Sequence, residues 1–244
     1  MKSIYIFIFF LFSSLVFAQN QSNQSFNKAK KLLEKKVFNK NKITIYCNAS
    51  FTSLKNVIPP KGFKSDKYKK RSRRIEWEHV VPAENFGRTF KEWREGDPLC
   101  VTKKGKAFKG RNCASKLNVE YRYMQSDMFN ILPAIGSVNA LRRNYNFTLQ
   151  PGVANSFGSC EMKIKNKKAE PPEVARGQIA RIYMYMDATY PRYSISKQQR
   201  KLMNAWDKMY PVDSWECERT KKITKLQQST NAIVQQQCIA NNLW

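Results

Sequence analysis

Histidine and acidic side chains are scarce in this 244-residue sequence. His79 is its one histidine, which excludes a site built from two or more imidazoles. Only 18 Asp and Glu stand against 44 Lys and Arg, and the formal net charge is +26. A surface with that charge attracts polyanions, chiefly nucleic acid, and less specifically anionic lipid or glycans. Charge alone names no function.

The sequence also lacks a CxxC pair, so a metal site made of cysteine thiolates is not expected. Its six cysteines all follow residue 18, and an even number in an exported chain indicates disulfides, with the connectivity left open. We expect Cys100 to pair with Cys113, because the two are close enough in the chain to staple one loop. The other expected pairs are Cys217 with Cys238 and Cys47 with Cys160.

Long apolar runs are absent beyond residue 18, and no later segment is apolar enough to cross a bilayer. The first residues start with Lys2, continue as an apolar run and end in the small-residue pattern Val16-Phe17-Ala18. They predict a signal peptide, residues 1–18, cleaved after Ala18, and a periplasmic or secreted protein that does not insert into a membrane. An uncleaved N-terminal anchor is the alternative. The remaining 226 residues, 19–244, carry +25 without Lys2, and we expect them to form one domain.

The first half of the mature chain predicts one helix and two strands. Apolar residues at helical spacing indicate an amphipathic helix over 26–38. The segment ITIYC, 43–47, is rich in β-branched residues and predicts a strand. The segment RIEWEHVV alternates as a strand does, with Ile75 and His79 on one face, and Pro82 is expected to end it.

A strongly basic segment, KYKKRSRR at 67–74, connects the two predicted strands. Six of its eight residues are Lys or Arg. Two interpretations remain open: a solvated loop, or an arm that contacts phosphates.

The second half of the chain is expected to be mostly helical. Two helices are predicted near 117–129 and 134–142, with the break at Pro133. A longer helix is predicted within EPPEVARGQIARIYMYMDATYP, because Pro172 suits a first helical turn and Pro191 lies beyond the end.

Two further helical segments complete the chain. Ser196 is the expected N-cap of the first, and the last is interrupted near Ser229-Thr230. No internal repeat is present. A helix, then strands, then mostly helices indicates the α+β class: a mostly helical single domain with a small antiparallel sheet.

The surroundings of His79 indicate a chemical role. A lone histidine on the inward face of a strand is usually a hydrogen-bonded core residue, but here Glu78 is its neighbour and Glu76 lies two residues back. A carboxylate that holds Mg²⁺ and a neutral imidazole that takes a proton from water are the parts of metal-assisted phosphodiester cleavage. Neighbours on a regular strand point to opposite faces. Either the strand twists or bulges, or the two groups approach the phosphate from two sides.

The segment EWEHVVPAENFG resembles the active-site segment of the secreted and periplasmic endonuclease I family, within the ββα-metal (His-Me finger) nucleases. GRNC, SDMFNILPAIGSVNALRRNYNF, ARGQIARIYMYM and VDSWECERTKKI resemble the same family in its order. The resemblance therefore covers the chain from about residue 43 to its end, and it implies a ββα-metal motif in the fold. Where the family commonly has His-Asn this chain has Phe129-Asn130, which leaves no role for a second histidine.

The resemblance implies a role for each matching position. His79 corresponds to the general base, and Glu78 to the carboxylate metal ligand. Asn139 corresponds to the second metal ligand, on the helix after the strand pair. Arg111 of GRNC is placed near the scissile phosphate, and a Cys100–Cys113 bridge would fix it beside the site.

Two more residues of the same segment are candidates. Arg142 stands three residues after Asn139, on one helix face with it, and is a second phosphate-binding candidate. Asn144 is expected to play a structural role, holding the residues that bind the metal without binding it directly. Without the resemblance, Asn139 would be an exposed helix residue and Arg111 part of the basic surface.

The expected function is that of an exported endonuclease that cuts double- and single-stranded DNA, and RNA, without sequence preference, and acts as a monomer. By resemblance the products carry 5′-phosphate and 3′-hydroxyl ends. The expected cofactor is Mg²⁺, or another divalent cation such as Mn²⁺ or Ca²⁺. Glu78, Asn139, phosphate oxygens and water would hold it.

Two other function classes fit the charge. A secreted cationic protein could bind nucleic acid without cutting it, as a scavenger or adhesion factor. A membrane-active cationic toxin is the other, and no long amphipathic cationic segment supports it. Degradation of plasmid in Mg²⁺ separates the nuclease from the binding protein, and leakage of anionic vesicles identifies the toxin.

Overall fold

The structure, a computed structural model, describes residues 19–244, and the predicted signal peptide lies outside them. In chain order, the α-helices of the described residues are α1 (Phe26–Leu32), α2 (Ala83–Gly87), α3 (Lys91–Arg94), α4 (Arg111–Leu117), α5 (Val119–Gln125), α6 (Gly136–Arg142), α7 (Glu173–Thr189), α8 (Lys197–Met209), α9 (Ser214–Gln227) and α10 (Ala232–Ala240). The strands are β1 (Ser50–Phe51), β2 (Val57–Ile58), β3 (Ile75–His79), β4 (Ile131–Ile135), β5 (Asn146–Phe147), β6 (Lys163–Lys165) and β7 (Lys168–Glu170). No helix within 19–244 is both long and apolar enough to cross a membrane.

The strands form three small sheets in the described part of the chain. β1 pairs with β2 and β3 pairs with β4, both antiparallel. The third sheet has the order β5-β7-β6, in which β5 and β7 are parallel. The α+β class is therefore confirmed, but the expectation of one antiparallel sheet is corrected to three sheets, one of them mixed. β3, β4 and α6 follow one another in space as a ββα unit.

The strand β4 was not expected, since the sequence predicted helices on both sides of a break at Pro133. The chain there forms a short 3₁₀ turn, Met128–Asn130, and then β4, with Pro133 opposite Trp77 of β3. Pro133 fits because its carbonyl accepts from Ile45 N at 2.9 Å, on the side away from β3. In an extended chain the nitrogen points to that same side, so β3 loses no partner.

The predicted strand at 43–47 is wrong. Residues 45–47 form a turn, and Thr44 closes the loop by pairing twice with Ala49: its backbone N–H donates to Ala49 O, and its Oγ1 accepts from Ala49 N. The side chains that follow serve distant partners, because Cys47 is bonded to Cys160 and Tyr46 contacts Glu78. Tertiary contacts outweigh the local strand preference of β-branched residues.

The second predicted strand ends earlier than expected, at His79 rather than at Pro82. Beyond it, the amide side chain of Asn130 takes over the pairing. Its Oδ1 accepts from Val81 N at 2.7 Å and its Nδ2 donates to Val81 O at 3.0 Å. The chain bends at Val80 and Val81 and enters α2 after Pro82.

The predicted helices of the C-terminal half are confirmed where local signals are strong. α7 begins after Pro172 and ends before Pro191. The Oγ of Ser196 caps α8 by accepting from Gln199 N at 3.1 Å. The last segment is broken into α9 and α10 around Ser229, as expected. The helix predicted near 26–38 is present as α1, continued by a π-helical turn to Val37.

The core is a continuous cluster of buried apolar side chains that α1, β3, β4, α7 and α9 all contribute to. Its members include Ala29, Ile75, Ile135, Ile179 and Ile223. All three expected cysteine pairs are bonded: Cys47–Cys160, Cys100–Cys113 and Cys217–Cys238.

Candidate active site

A cavity of about 540 Å³ opens between β3, α6 and the N-termini of α1 and α4. We call it the catalytic cavity. Its lining includes five of the predicted site residues: Glu78, His79, Arg111, Asn139 and Asn144. The remaining lining residues are Phe26, Trp77, Pro82, Ala83, Glu84, Trp93 and Arg143.

Glu78 and His79 reach this cavity although they are neighbours on a strand. The pairing of β3 with β4 runs without an inserted residue to His79, which lies opposite Ile131. No bulge turns one side chain over to the other face. Both side chains nevertheless line the cavity, and His79 is the last residue of β3.

Glu78 is 2% exposed, and its two carboxylate oxygens have different surroundings. Oε1 accepts from Tyr46 Oη at 2.7 Å and from Arg142 Nη1 at 3.0 Å. Oε2 is buried and has no hydrogen-bond partner among residues 19–244. Burial raises the pKa of the Glu78 carboxyl, while Arg142 and Tyr46 act in the opposite direction. A buried carboxylate oxygen without a hydrogen-bond partner can bind a cation or accept a proton.

His79 is held in one orientation. Its Nε2 lies 2.8 Å from Gln125 O, so Nε2 carries the proton and donates to that carbonyl. Nδ1 is then the nitrogen with a free lone pair. The ring stacks on Phe26 with centroids 4.7 Å apart. Burial, reinforced by Arg111, lowers the pKa of His79 to about 3, so the imidazole is neutral at neutral pH.

Asn139 is oriented by polar contacts that lead through Glu76 to Arg71, in the strongly basic segment 67–74. Its Nδ2 donates to Glu76 Oε2 at 2.8 Å, and Glu76 in turn accepts from Arg71 Nε at 2.7 Å. With the amide nitrogen engaged, the Asn139 oxygen is the atom left for a ligand. Gly136 permits this packing, because a Cβ there would lie 2.5 Å from Arg71 O. Glu76, noticed in the sequence as a second carboxylate, orients the amide.

Arg111 is the first residue of α4 and lines the cavity with an exposed side chain. It forms no ion pair with a carboxylate in the described chain, and its guanidinium lies 6.0 Å from the Phe26 ring centroid. The Cys100–Cys113 bridge lies two residues further on. A free guanidinium at the rim is suited to an anionic ligand.

Arg142 does not line the cavity, and its placement is at odds with the expected phosphate-binding role. The residue is 0% exposed. Besides Glu78, it donates to His79 O at 3.1 Å and to Val80 O at 2.6 Å. A guanidinium with these partners cannot reach a phosphate in the cavity, but it does fix the backbone and carboxylate of the strand end.

Of the two adjacent arginines, the one that lines the cavity is Arg143. Arg143 caps α6 with a φ of 54° and has an exposed side chain. Sequence reasoning chose the residue three after Asn139, whereas the helix presents the one four after it. Asn144 follows and also lines the cavity, which leaves its expected supporting role a prediction.

Several residues of the site were missing from the sequence analysis. Tyr46 and Gln125 lie far from the EH pair in the chain, and Phe26 belongs to a helix predicted only for its amphipathic pattern. No local motif marks any of the three. Only the neighbouring basic pair in "ALRRN" carried a signal that pointed to Arg143.

The arrangement supplies a complete set of parts for hydrolysis of an anionic ester. Two oxygens, from Glu78 and Asn139, are left for a hard cation. A neutral imidazole has its Nδ1 free to accept a proton. Two exposed guanidiniums, from Arg111 and Arg143, can hold the anion.

Comparison with known proteins assigns this arrangement to a family. Residues 18–238 match the family model described as Endonuclease I. An extracellular deoxyribonuclease of Aeromonas hydrophila is 39% identical over 222 residues, which cover 88% of this chain and 91% of the relative. A periplasmic deoxyribonuclease of the same organism is 39% identical over 227 residues, 90% of this chain and 89% of the relative.

A third relative comes from another bacterium. Endonuclease-1 of Buchnera aphidicola subsp. Baizongia pistaciae (strain Bp) is 35% identical over an alignment of 253 residues, which covers 99% of this chain and 97% of the relative. The match therefore spans the site and the elements that carry it. The chain belongs to the Endonuclease I family and is a nuclease.

Proposed function

We propose that the protein is an exported, divalent-metal-dependent endonuclease that hydrolyses phosphodiester bonds of DNA and RNA without sequence preference. The observation that carries this proposal is the convergence of three groups on the catalytic cavity. They are the unpartnered Oε2 of Glu78, the free oxygen of Asn139 and the neutral imidazole of His79.

The residues present fit a hard divalent ion such as Mg²⁺. Glu78 and Asn139 would hold it, with water and phosphate oxygens completing a shell that two protein oxygens cannot fill. When bound, the ion supplies positive charge against the phosphate and the leaving oxygen. The buried Oε2 is the main argument, because burial of a carboxylate oxygen without a hydrogen-bond partner costs free energy that a bound cation would offset.

His79 would act as the general base. Donation from Nε2–H to Gln125 O leaves Nδ1 to take a proton from water, and the neutral ring is the form present at neutral pH. The oxygen of that water attacks phosphorus in line with the bond to the 3′-oxygen. That bond breaks, and the 3′-oxygen receives a proton from solvent. The products are a 5′-phosphate and a 3′-hydroxyl.

Arg111 and Arg143 would bind the phosphate from the cavity rim. Neither has a carboxylate partner within residues 19–244, and both side chains are exposed at the cavity. Contacts from guanidinium to phosphate carry no base information, which supports cleavage without sequence preference. Such contacts also do not distinguish ribose from deoxyribose, which supports activity on RNA. Binding should weaken steeply with salt, because phosphate contacts release counterions.

Export is supported by the leader-like residues 1–18 and by the names of the relatives, one extracellular and one periplasmic deoxyribonuclease. We place cleavage after Ala18, with 19–244 as one nuclease unit that acts as a monomer. Mass spectrometry of the mature protein tests the cleavage site, and light scattering tests the monomer.

The test is a cleavage assay on supercoiled plasmid and on a labelled RNA, in Mg²⁺ and in chelator. We expect wild type and the exposed-lysine control Lys208→Ala to degrade both substrates in Mg²⁺ and neither in chelator. His79→Ala should lose more than about 100-fold in rate, within the range for a general base. Ends are identified by ligation, which needs a 5′-phosphate. Plasmid that is bound but left intact by wild type would instead identify a non-catalytic binding protein.

A further inference from the structure

A second cavity of about 630 Å³ adjoins the catalytic cavity. We call it the flanking cavity; Asn85, Arg88, Asn144, Asn146, Lys167 and Lys168 are among its lining residues. Asn144 lines both cavities. The walls also continue along the chain, since Glu84 lines the catalytic cavity and the next residue, Asn85, lines the flanking one. The two cavities are therefore immediate neighbours on the surface.

All charged residues that line the flanking cavity are cationic. Four of its residues are cationic and none of the described residues lining it is acidic. Two of the four are neutralised by ion pairs, Arg88 with Glu84 and Arg192 with Glu120. Lys167 and Lys168 form no ion pair in the part of the chain that the structure describes. Unlike the catalytic cavity, this one has no carboxylate for a metal, so its chemistry is anion binding.

The sheet β5-β7-β6 builds this wall. Lys168 lies opposite Asn146 in the parallel pairing of β7 with β5. Lys167 occupies the tight turn between β6 and β7, with a φ of 56°. Asn85 Nδ2 donates to Asn146 Oδ1 at 3.0 Å and ties the sheet to α2. Strand pairing and this cross-link place both lysines in the wall of the flanking cavity.

We propose that the flanking cavity is a subsite for the nucleic-acid strand next to the scissile phosphate, with Lys167 and Lys168 contacting the phosphate of the adjoining nucleotide. The inference rests on the proposed function and extends it to the substrate's path. A strand cut in the catalytic cavity must continue beyond it, and along Asn144 it enters a cavity of unpaired positive charge. The volume lies within the range of small-ligand sites. Phosphate contacts add affinity without base preference.

The test compares Lys167→Gln/Lys168→Gln with a matched control, Lys103→Gln/Lys104→Gln. The control also removes two charges from adjacent exposed lysines in a turn, outside both cavities. Binding of a fluorescent twelve-nucleotide strand is measured by anisotropy in chelator, so that no cleavage is needed. We expect Kd to rise about tenfold in the test variant and less than about twofold in the control. The slope of log K against log salt should fall by roughly one unit in magnitude.

A second measurement uses cleavage in Mg²⁺. The ratio of kcat/KM for the twelve-nucleotide strand to that for bis(p-nitrophenyl) phosphate, which has no flanking nucleotide, should fall about tenfold in the test variant only. Equal effects of the two double variants on Kd and on this ratio would overturn the subsite. If wild type cleaves nothing, the proposed function fails, and the binding comparison still decides the subsite. Matching thermal unfolding midpoints confirm that both variants are folded.

Photocrosslinking locates the strand directly. A 4-thiothymidine oligonucleotide, irradiated with wild type in chelator, should link to peptides containing residues 144–146 and 166–168. Links confined to other peptides would contradict the assignment.

Discussion

Tyr46 donates a 2.7 Å hydrogen bond to Oε1 of Glu78, from a turn 32 residues earlier in the chain. Arg142 binds the same oxygen at 3.0 Å. Both partners are buried, and both bind Oε1, while Oε2 has no hydrogen-bond partner in the described residues. In the proposed mechanism, the carboxylate is held by one oxygen and the other oxygen binds the cation.

Removing the Tyr46 hydroxyl should weaken metal binding. In Tyr46→Phe we expect the Mg²⁺ concentration for half-maximal cleavage to rise about tenfold, because partners that orient a metal ligand contribute on that scale. The matched control is Tyr185→Phe, which removes a buried hydroxyl bonded at 2.7 Å to a different carboxylate, Asp127. Both variants should lose stability, but only Tyr46→Phe should shift the metal dependence. Equal metal dependence in the two would refute the orienting role.

Substitution of Arg142 should affect stability, whereas substitution of its neighbour Arg143 should affect DNA binding. Arg142→Met leaves Glu78 charged and buried beside two unpaired carbonyls, so we expect the free energy of unfolding to fall by about 3–5 kcal/mol. Arg143→Met should change stability by less than about 0.5 kcal/mol, as an exposed substitution does, and should instead raise KM for DNA. Urea unfolding and steady-state cleavage measure the two effects. A stable Arg142→Met with weakened DNA binding would restore the phosphate-binding role expected from the sequence.

The Cys100–Cys113 bridge should matter more for activity than the other short bridge. Cys100→Ala/Cys113→Ala and Cys217→Ala/Cys238→Ala each open a loop of similar size, with separations of 13 and 21 residues, so each should cost about 3 kcal/mol of stability. Only the first frees the start of α4, where Arg111 lies. A displaced charge at the phosphate should lower kcat roughly 10- to 100-fold.

The same reasoning predicts that protein made in a reducing compartment is poorly active until it is exported. Full activity of wild type in strong reductant, with its thiols shown to be free, would contradict this.

The single histidine makes one pH effect separable from the rest. The folded protein binds a proton on His79 only near pH 3, whereas an unfolded chain does so near its ordinary value of 6.5. The unfolded state therefore holds more protons between these values, and the free energy of unfolding falls as the pH drops through 6.5. From pH 7.5 to 5.5 the expected loss is about 1.4 kcal/mol.

Urea unfolding in chelator measures that loss, and His79→Gln is the reference that lacks the titrating ring. The difference between the two slopes isolates His79 from the buried carboxyls of Glu78 and Asp127, whose raised pKa values act with the opposite sign. Parallel slopes would mean that the pKa of the ring is the same in the folded and the unfolded protein, which would contradict the burial effect.

Local signals predicted the helices of the C-terminal half well. Ser196 caps α8 through its own side chain, and Pro172 and Pro191 flank α7. Each of these helix boundaries is set by residues within one turn of it. β4 escaped prediction because it is stabilised by β3, more than fifty residues earlier, and because Pro133 is disfavoured in a paired strand unless its nitrogen points away.

The candidate site shows the same division. Glu78 and His79 are adjacent in sequence, and their motif is recognisable without coordinates. Tyr46 could not be recognised in this way. It lies in a turn and hydrogen-bonds to a carboxylate distant in sequence, so no motif or periodic pattern marks it. The choice between Arg142 and Arg143 depends on which face of α6 the core buries, and spacing from Asn139 allows both.

The stack of His79 on Phe26 provides a spectroscopic probe inside the candidate active site. With one imidazole in the chain, a histidine-selective NMR spectrum contains a single ring, which needs no mutagenesis to assign. A ring whose centroid is 4.7 Å from an aromatic neighbour experiences that neighbour's ring current, so its carbon-bound protons should resonate away from their usual positions. Loading with Mg²⁺ or with a non-cleavable oligonucleotide can then be followed, atom by atom, through one pair of signals.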